Sequence, residues 1–408
     1  MRGVPGAGAA YPRMRVAVPT TTSQIPTAVV VEVGWVNGLA AIRSLGRHGV
    51  RVLAVDDGPS ALGFRSRYAT AVSAPDPVTD EDGFVAAIAR LGETLAGPVP
   101  VFATHDEHVN VIARRQAEMG AAYRPCSPAW ATLERLQSKR HQLEAAVACG
   151  VPTPETRHPR SPAEALAAAQ ELGYPVMVKP SDPIGFKRLH NRQGFRCETA
   201  AELETAFAQT GAFEPMVQEY VPGGDDHLYS LGSYVAADGE ALGIFTGRKL
   251  RQTRQHMGVC RVAEAVWVPE IADHGLRLLR QLEFNGISQV EFKLDPRTGT
   301  YKLIEVNPRL WQWHGLATAC GVDLTHIAYL DLVGRRPPQR RMTREGRRWA
   351  ITFSADAPHA FQRPPYTDAL FARDDPRPAL TQFGRVVRGR IRRSRRGAAP
   401  SAPVGRIA

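Results

Sequence analysis

The sequence predicts a mixed fold: an α/β first part with a parallel sheet, then an α+β part built on antiparallel strands. Three observations carry this. Apolar β-branched runs alternate with helical stretches from Ala28 to Ala103. From Met216 to Val306 strand-like runs follow one another across short turns such as Asp238-Gly239. The 408 residues are 43% apolar and 22% charged, a folded composition that excludes wholesale disorder and suggests two or three domains.

Taken in order, residues 1–26 read as a flexible leader, with Met14 an alternative start. The leader lacks the apolar stretch of a signal peptide, which leaves the cytoplasm as the expected compartment. Ala28–Val33 (AVVVEV) is a buried strand, bounded by Pro26 and Gly34. A helix opens at Gly38, Val50–Val55 is a second strand, Phe84–Leu95 a helix and Val99–Ala103 a third strand. Gly34 and Gly38 in GWVNG do not make a GxGxxG fingerprint, so a Gly-rich structural turn is the better reading there. Pro128–Cys149 is helical, and Ser161-Pro162-Ala163-Glu164 starts another helix with cap, first-turn proline and early acid in agreement. Pro175–Lys179 and Met216–Val221 are strands around a helix at Glu202–Gln209. Tyr229–Val235, Ala241–Gly247, Val290–Leu294 and Tyr301–Val306 are strands, with a helix at Ile271–Leu282 packed on them.

The formal net charge of +11 invites a nucleic-acid reading, but its distribution argues against one. Residues 1–334 hold 33 Lys+Arg against 35 Asp+Glu, whereas residues 383–408 hold eight Arg and no acid. The basicity is therefore C-terminal. Phe383, Val386, Val387 and Ile391 fall on one helical stripe among arginines, the pattern of a peripheral contact with an anionic membrane or an acidic partner. Cys126, Cys149, Cys197, Cys260 and Cys320 are too scattered for a disulfide framework or a zinc site.

The chemistry sits on four separated signals. Lys139 lies in a helix, Lys179 ends an apolar strand, Glu219 lies in QEYVPGGDD, and Glu291 precedes Glu305-Val306-Asn307-Pro308-Arg309. A hairpin through Asp295–Gly299 would place Glu291 and Glu305 side by side. Two such carboxylates need a cation between them, and Asn307 on the same strand face completes hard oxygen ligation for Mg²⁺ shared with phosphates. Arg309 offers a planar donor to a phosphoryl or acyl-phosphate oxygen.

These residues carry a resemblance. MVKP, QEYVPGG and EVNPR after a VEF strand resemble the ATP-grasp superfamily from about Ser127 to Gly334. GRKLRQ with EFKLDPRTGTYKLIEVNPRLWQWHG is similar to its carboxylate–amine ligase branch, the D-aspartate ligases. The resemblance implies an ATP-grasp domain at 126–334, a Rossmann-like pre-grasp domain at 27–125, an extension at 335–382 and a basic tail at 383–408. It implies ATP and one or two Mg²⁺, or Mn²⁺. Lys139 and Lys179 would hold phosphates. Glu219 would accept from the adenine amino group with the Tyr220–Val221 backbone, and Asp226 would hold the ribose unless it is a turn residue. Arg248 or Lys249 would reach the γ-phosphate, and Glu291, Glu305 and Asn307 would hold metal. Arg309 would stabilise an oxyanion. Arg251 and Arg254 would clamp a substrate carboxylate. Trp311 and Trp313 would wall the pocket or serve as core, and His256 and His314 lie near it. The segment after Lys179, PSDPIGFKRLHNRQGF, is poorer in glycine than the family's phosphate loop, and Lys187, Arg188 and Arg192 would substitute for it.

The implied activity is ATP-dependent activation of a carboxylate as an acyl phosphate, joined to an amine. The alternatives are a carbamoyl-phosphate or biotin-carboxylase type of enzyme and a non-catalytic ATP-binding protein. The partners are small-molecule acid and amine substrates and a second copy in a homodimer, with no specific nucleic acid.

Overall fold

Thr27–Val31 (β1) is TAVVV, buried on every residue after the first, and it sits at the middle of a five-stranded sheet. Its companions are Arg51–Asp56 (β2), Ala69–Ser73 (β3), Val99–Ala103 (β4) and Tyr123–Pro125 (β5), all parallel, in the order β3-β2-β1-β4-β5. The first helix, Val36–Arg47, buries Leu39, Ile42 and Leu45 at helical spacing. The direction of winding reverses between β1 and β4, so their carboxyl ends flank an open crevice. β3 and β5 escape a pattern reading because one is largely exposed and the other is three residues long. The computed structural model describes residues 27–190, 192–253, 258–351 and 365–395.

The predicted helix Pro128–Cys149 is two helices, Trp130–Gln137 and Lys139–Ala148. Ser138 breaks it: its backbone is extended and its hydroxyl accepts from His141 N, capping the second helix. That break puts Lys139 at a helix start. Next come Thr156–Arg157 (β6), Val176–Pro180 (β7), Phe195–Cys197 (β8) and Pro215–Glu219 (β9), an antiparallel sheet ordered β6-β9-β7-β8. Helices Pro162–Leu172 and Ala200–Thr210 pack Ala165, Ala169, Leu203 and Ala206 on Val176, Val178 and Val217. The stretch after Lys179 forms a helix, Pro183–His190.

The third sheet is mostly antiparallel. It contains Leu228–Val235 (β10), Ala241–Gln252 (β11), Cys260–Ala265 (β12), Gly286–Asp295 (β13) and Thr300–Asn307 (β14). Residues read as a C-terminal extension add Arg340–Arg341 (β15), Arg348–Ala350 (β16) and Tyr366–Asp368 (β17). The order is β14-β13-β10-β11-β12-β16-β17, with β15 beside β11. Trp311 and Trp313 are both 1% exposed and pack under this sheet. Gly232 on β10 lets Trp311 lie against the strand: a Cβ there would sit 2.0 Å from the indole ring.

The chain returns to the first sheet at its end. Asp375 is fully buried and pairs with Arg43 Nε at 3.0 Å, while also accepting from Ser66 Oγ and Arg67 N. The last helix, Arg377–Arg395, keeps Leu380 at 66% exposure. No helix among the described residues is long and apolar enough to cross a membrane.

Candidate active site

The β13–β14 hairpin forms as the sequence predicts, and its register sets Glu291 directly opposite Glu305 and Gln289 opposite Asn307. Each carboxylate already has its own cation. Lys139 Nζ lies 3.0 Å from Glu305 Oε2, and Lys249 Nζ lies 2.8 Å from Glu291 Oε2. Burial alone would raise the Glu305 carboxyl, but Lys139 and then Lys249 hold it far below the usual range. Burial pulls Lys249 down, and Glu291 more than restores it, so its ammonium is held above the ordinary value. Asn307 Nδ2 donates to Glu305 Oε1 at 3.2 Å. Among the described residues no cluster of three or more His, Cys, Asp or Glu is placed to hold a metal. The set is two carboxylates and one amide, hard oxygen donors that suit Mg²⁺ only when phosphate oxygens complete the shell.

Two contacts bring the lysines together. Lys139 N donates to the Ser181 carbonyl just beyond β7, and Gln142 bridges the same helix to the Val306 backbone of β14. Lys179 Nζ donates to Gln218 Oε1 at 2.8 Å, and burial, reinforced by the charge of Lys139, pushes it down to about 7. These groups line one cavity of about 320 Å³, shared by Glu219, Tyr220, Val221, Lys293, Asn307, Arg309 and Trp311. Arg309 is held from the first sheet's side: Nε and Nη2 donate to Asp106 at 2.7 and 3.2 Å.

Several expected residues stand elsewhere. Arg248 turns to the opposite face from Lys249 by strand alternation and donates twice to Glu264 Oε2, so it does not line the cavity. Asp226 is 58% exposed and faces His227, because the short Asp225–His227 helix turns it outward; Asp225 instead accepts from Gln252. Arg251 is exposed at a bulge in β11, away from the cavity. Arg254 and His256 lie outside the described residues. The Glu219 carboxylate is taken up by Lys302, Arg297 and the Glu155 N–H, so its side chain is not open to an adenine. Trp311 and Trp313 are core residues and cavity wall together. His314 is buried with Nε2 on the Asn37 carbonyl. Arg188 is exposed and Arg192 stacks over Phe195, so neither lines the cavity.

A sequence reading missed the first sheet's share. Trp35, Asn37, Thr104, His105, Asp106 and Glu107 all line the cavity. The one signal that could have found them is position: they follow the carboxyl ends of β1 and β4, where the winding reverses.

Known proteins resemble this chain in sequence and in fold. The family model described as carbamoyl-phosphate synthase L chain, ATP binding domain, matches residues 265–330. D-aspartate ligase of Enterococcus faecium is 25% identical over 251 residues, 58% of this chain and 59% of that protein. The carbamoyl phosphate synthase large chain of Methanothermobacter thermautotrophicus is 26% identical over 73% of this chain and 28% of its own length. The chain thus spans less than two thirds of the length of these relatives. Among solved structures, a biotin carboxylase–ATP complex from Campylobacter jejuni superposes with a TM-score of 0.64 at 17% identity, covering 77% of this chain and 72% of that one. An L-amino acid ligase from Bacillus licheniformis gives 0.55 at 16%, covering 76% and 75%. The structures share the mixed α/β fold. These similarities in sequence and fold support an affinity with the ATP-grasp superfamily.

Proposed function

We propose that this chain is an ATP-dependent ligase that activates a substrate carboxylate as an acyl phosphate and joins it to an amine, releasing ADP and phosphate. The observation that carries it is the paired array of Lys139 with Glu305 and Lys249 with Glu291, in one cavity with Lys179 and Arg309. The similarity to D-aspartate ligase supports the carboxylate–amine branch.

In this reading the parallel sheet of residues 27–125 is the Rossmann-like pre-grasp domain and residues 126–334 are the ATP-grasp domain. Adenine lies against Tyr220–Val221 through the main chain, while the Glu219 carboxylate braces that hinge through Lys302 and Arg297. Lys139, Lys179 and Lys249 carry the phosphates, and Glu291, Glu305 and Asn307 hold Mg²⁺. When bound, Mg²⁺ supplies charge neutralisation on the phosphoryl group. Lys249, which alternation turns inward, takes the γ-phosphate role, and Arg309 donates to the oxygen on which charge develops at the acyl carbon. Asp106 positions Arg309.

The test is incubation of the protein with Mg·ATP and mixed pools of acids and amines, read by mass spectrometry. ADP together with an amide, both lost in Glu305→Ala, supports the reading; AMP and pyrophosphate overturn it. The family-model match at residues 265–330 favours a second reading, carboxylation or carbamoyl-phosphate formation, for which labelled bicarbonate enters the product. For the tail, arginines beside outward Leu380 and Val387 suit an anionic membrane surface. Liposome co-sedimentation unchanged by deletion of residues 383–408 would remove that assignment.

A further inference from the structure

The cavity wall given by the parallel sheet holds a group of side chains that the phosphate end does not use. Glu32, directly after β1, has a left-handed backbone at φ 59°, a conformation a non-glycine residue holds only when its surroundings impose it. Its side chain is held on two sides. Its Oε2 lies 2.6 Å from His105 Nδ1 and accepts from Thr104 Oγ1 at 2.8 Å. Burial would raise the Glu32 carboxyl, but His105 and Thr104 hold it below its ordinary value, so it remains an anion. Next to it, burial and the Glu32 charge push Asp56 up to about 6, and its two oxygens accept from Val33 N and Gly58 N.

The Glu32 anion 2.6 Å from Nδ1 favours a proton on that nitrogen, because a bare lone pair there would face the negative charge. In a neutral imidazole that places the hydrogen on Nδ1 and leaves Nε2 as the bare acceptor. His105 lines the cavity, and its Nε2 has no protein partner among the described residues. Its chain neighbour Asp106 is the residue that holds Arg309, so base and cation are set by consecutive positions.

Asn37 supplies a second acceptor. It is 5% exposed, and its Nδ2 donates to the Thr104 carbonyl at 3.2 Å, which assigns the amide orientation. Its Oδ1 is then a buried oxygen without a partner, in a residue that lines the same cavity. Two acceptors in the wall of one cavity, one of them on a ring backed by an anion, match a protonated amine. An unpaired buried acceptor costs stability, which a ligand N–H would recover.

We infer that His105, oriented by Glu32, is the general base for the incoming amine, and that Asn37 Oδ1 accepts another of its N–H bonds. This rests on the ligase reading above. The ammonium gives one proton to His105 Nε2, and the imidazolium formed faces the Glu32 anion. The freed lone pair makes the C–N bond, and the acyl C–O bond to phosphorus breaks with its electron pair leaving on inorganic phosphate. That phosphate takes the second proton lost by the amide nitrogen. Glu32 is a positioning residue, since it acts through His105.

The experiment compares two nucleophiles on the same acid pool with Mg·ATP: a pool of primary amines, protonated at neutral pH, and hydroxylamine, which is already unprotonated. A general base contributes about 10²–10⁴-fold. The ratio of amide to hydroxamate formed is expected to fall about 100-fold in His105→Gln and at least about 10-fold in Glu32→Gln. A ratio within about threefold of the unsubstituted protein in His105→Gln overturns the assignment. Unsubstituted protein that forms neither ADP nor hydroxamate overturns the ligase reading, and this one with it. Imidazole nitrogen NMR gives an independent readout: the His105 signal is that of the Nδ1–H tautomer and changes in Glu32→Gln. An Nε2–H tautomer for His105 in the unsubstituted protein overturns the proposal without reference to activity.

Discussion

Replacing Lys249 by Met tests the idea that the lysines stand in for metal when nucleotide is absent. Lys249 Nζ and Glu291 Oε2 are 2.8 Å apart, and both residues are buried, at 8% and 7% exposure. The gross attraction at that separation is about 6 kcal/mol with an effective dielectric of about 20, most of it offset by desolvation of both groups. Met keeps the aliphatic stem and its packing but leaves Glu291 without its cation, a change that costs about 3–5 kcal/mol. Urea unfolding is expected to show that loss. Mg²⁺ without nucleotide should then recover part of it in the variant, up to about 2.7 kcal/mol at a hundredfold excess over the dissociation constant, because the vacated place beside Glu291 accepts a cation. In the unsubstituted protein Mg²⁺ alone should leave the midpoint unmoved, since Lys139 and Lys249 already occupy one oxygen of each carboxylate. A loss under about 1 kcal/mol, or equal stabilisation of both proteins by Mg²⁺, would refute the reasoning.

Lys179 predicts a pH dependence. Its ammonium titrates near 7, so it is charged below that value and neutral above it. Affinity for ADP, measured calorimetrically, is expected to fall as pH rises from 7 to 9, by up to about tenfold per unit, and Lys179→Met should flatten the slope. The same depressed value means that the unfolded chain binds more protons than the folded one between pH 7 and its ordinary 10.5, so this residue's contribution makes stability rise with pH there. Asp375→Ala removes the carboxylate partner of buried Arg43, which among the described residues then keeps the carbonyls of residues 369, 370 and 375; a loss of about 3–5 kcal/mol in chemical denaturation is expected, and Arg43→Met in the same chain should restore part of it. Gly232→Ala puts a methyl 2.0 Å from the Trp311 ring, with an expected cost of about 1–3 kcal/mol and a change in Trp fluorescence.

What could be read from the sequence was local. The β13–β14 hairpin follows from two apolar strands and the Asp295–Gly299 turn, and with it came Glu291, Glu305 and Asn307 on neighbouring positions. Lys179 at a strand end and the Ser161 cap were legible for the same reason. Arg248 and Lys249 were adjacent candidates that only the facing of β11 separated, and a bulge between Lys249 and Arg251 sent Arg251 out of the site. Asp225 and Asp226 differ by one step around a short helical turn, beyond the resolution of any periodicity. Glu32, Asn37 and His105 left no motif at all, because they stand just beyond the ends of two strands, β1 and β4, that are about 70 residues apart in the chain and meet only in the parallel sheet.

The sequence by itself determined the strands, the caps and the hairpin that carries the carboxylates, since these depend on residues a few positions apart and on periods of 2 and 3.6. Tertiary structure alone decided which charge meets which. Lys139 reaches Glu305 across 166 positions, Arg309 reaches Asp106 across 203, and Arg43 reaches Asp375 across 332. Such pairs depend on how three sheets close around one cavity. No local pattern encodes that closure, because side-chain facing and strand order are settled only when the apolar faces bury one another.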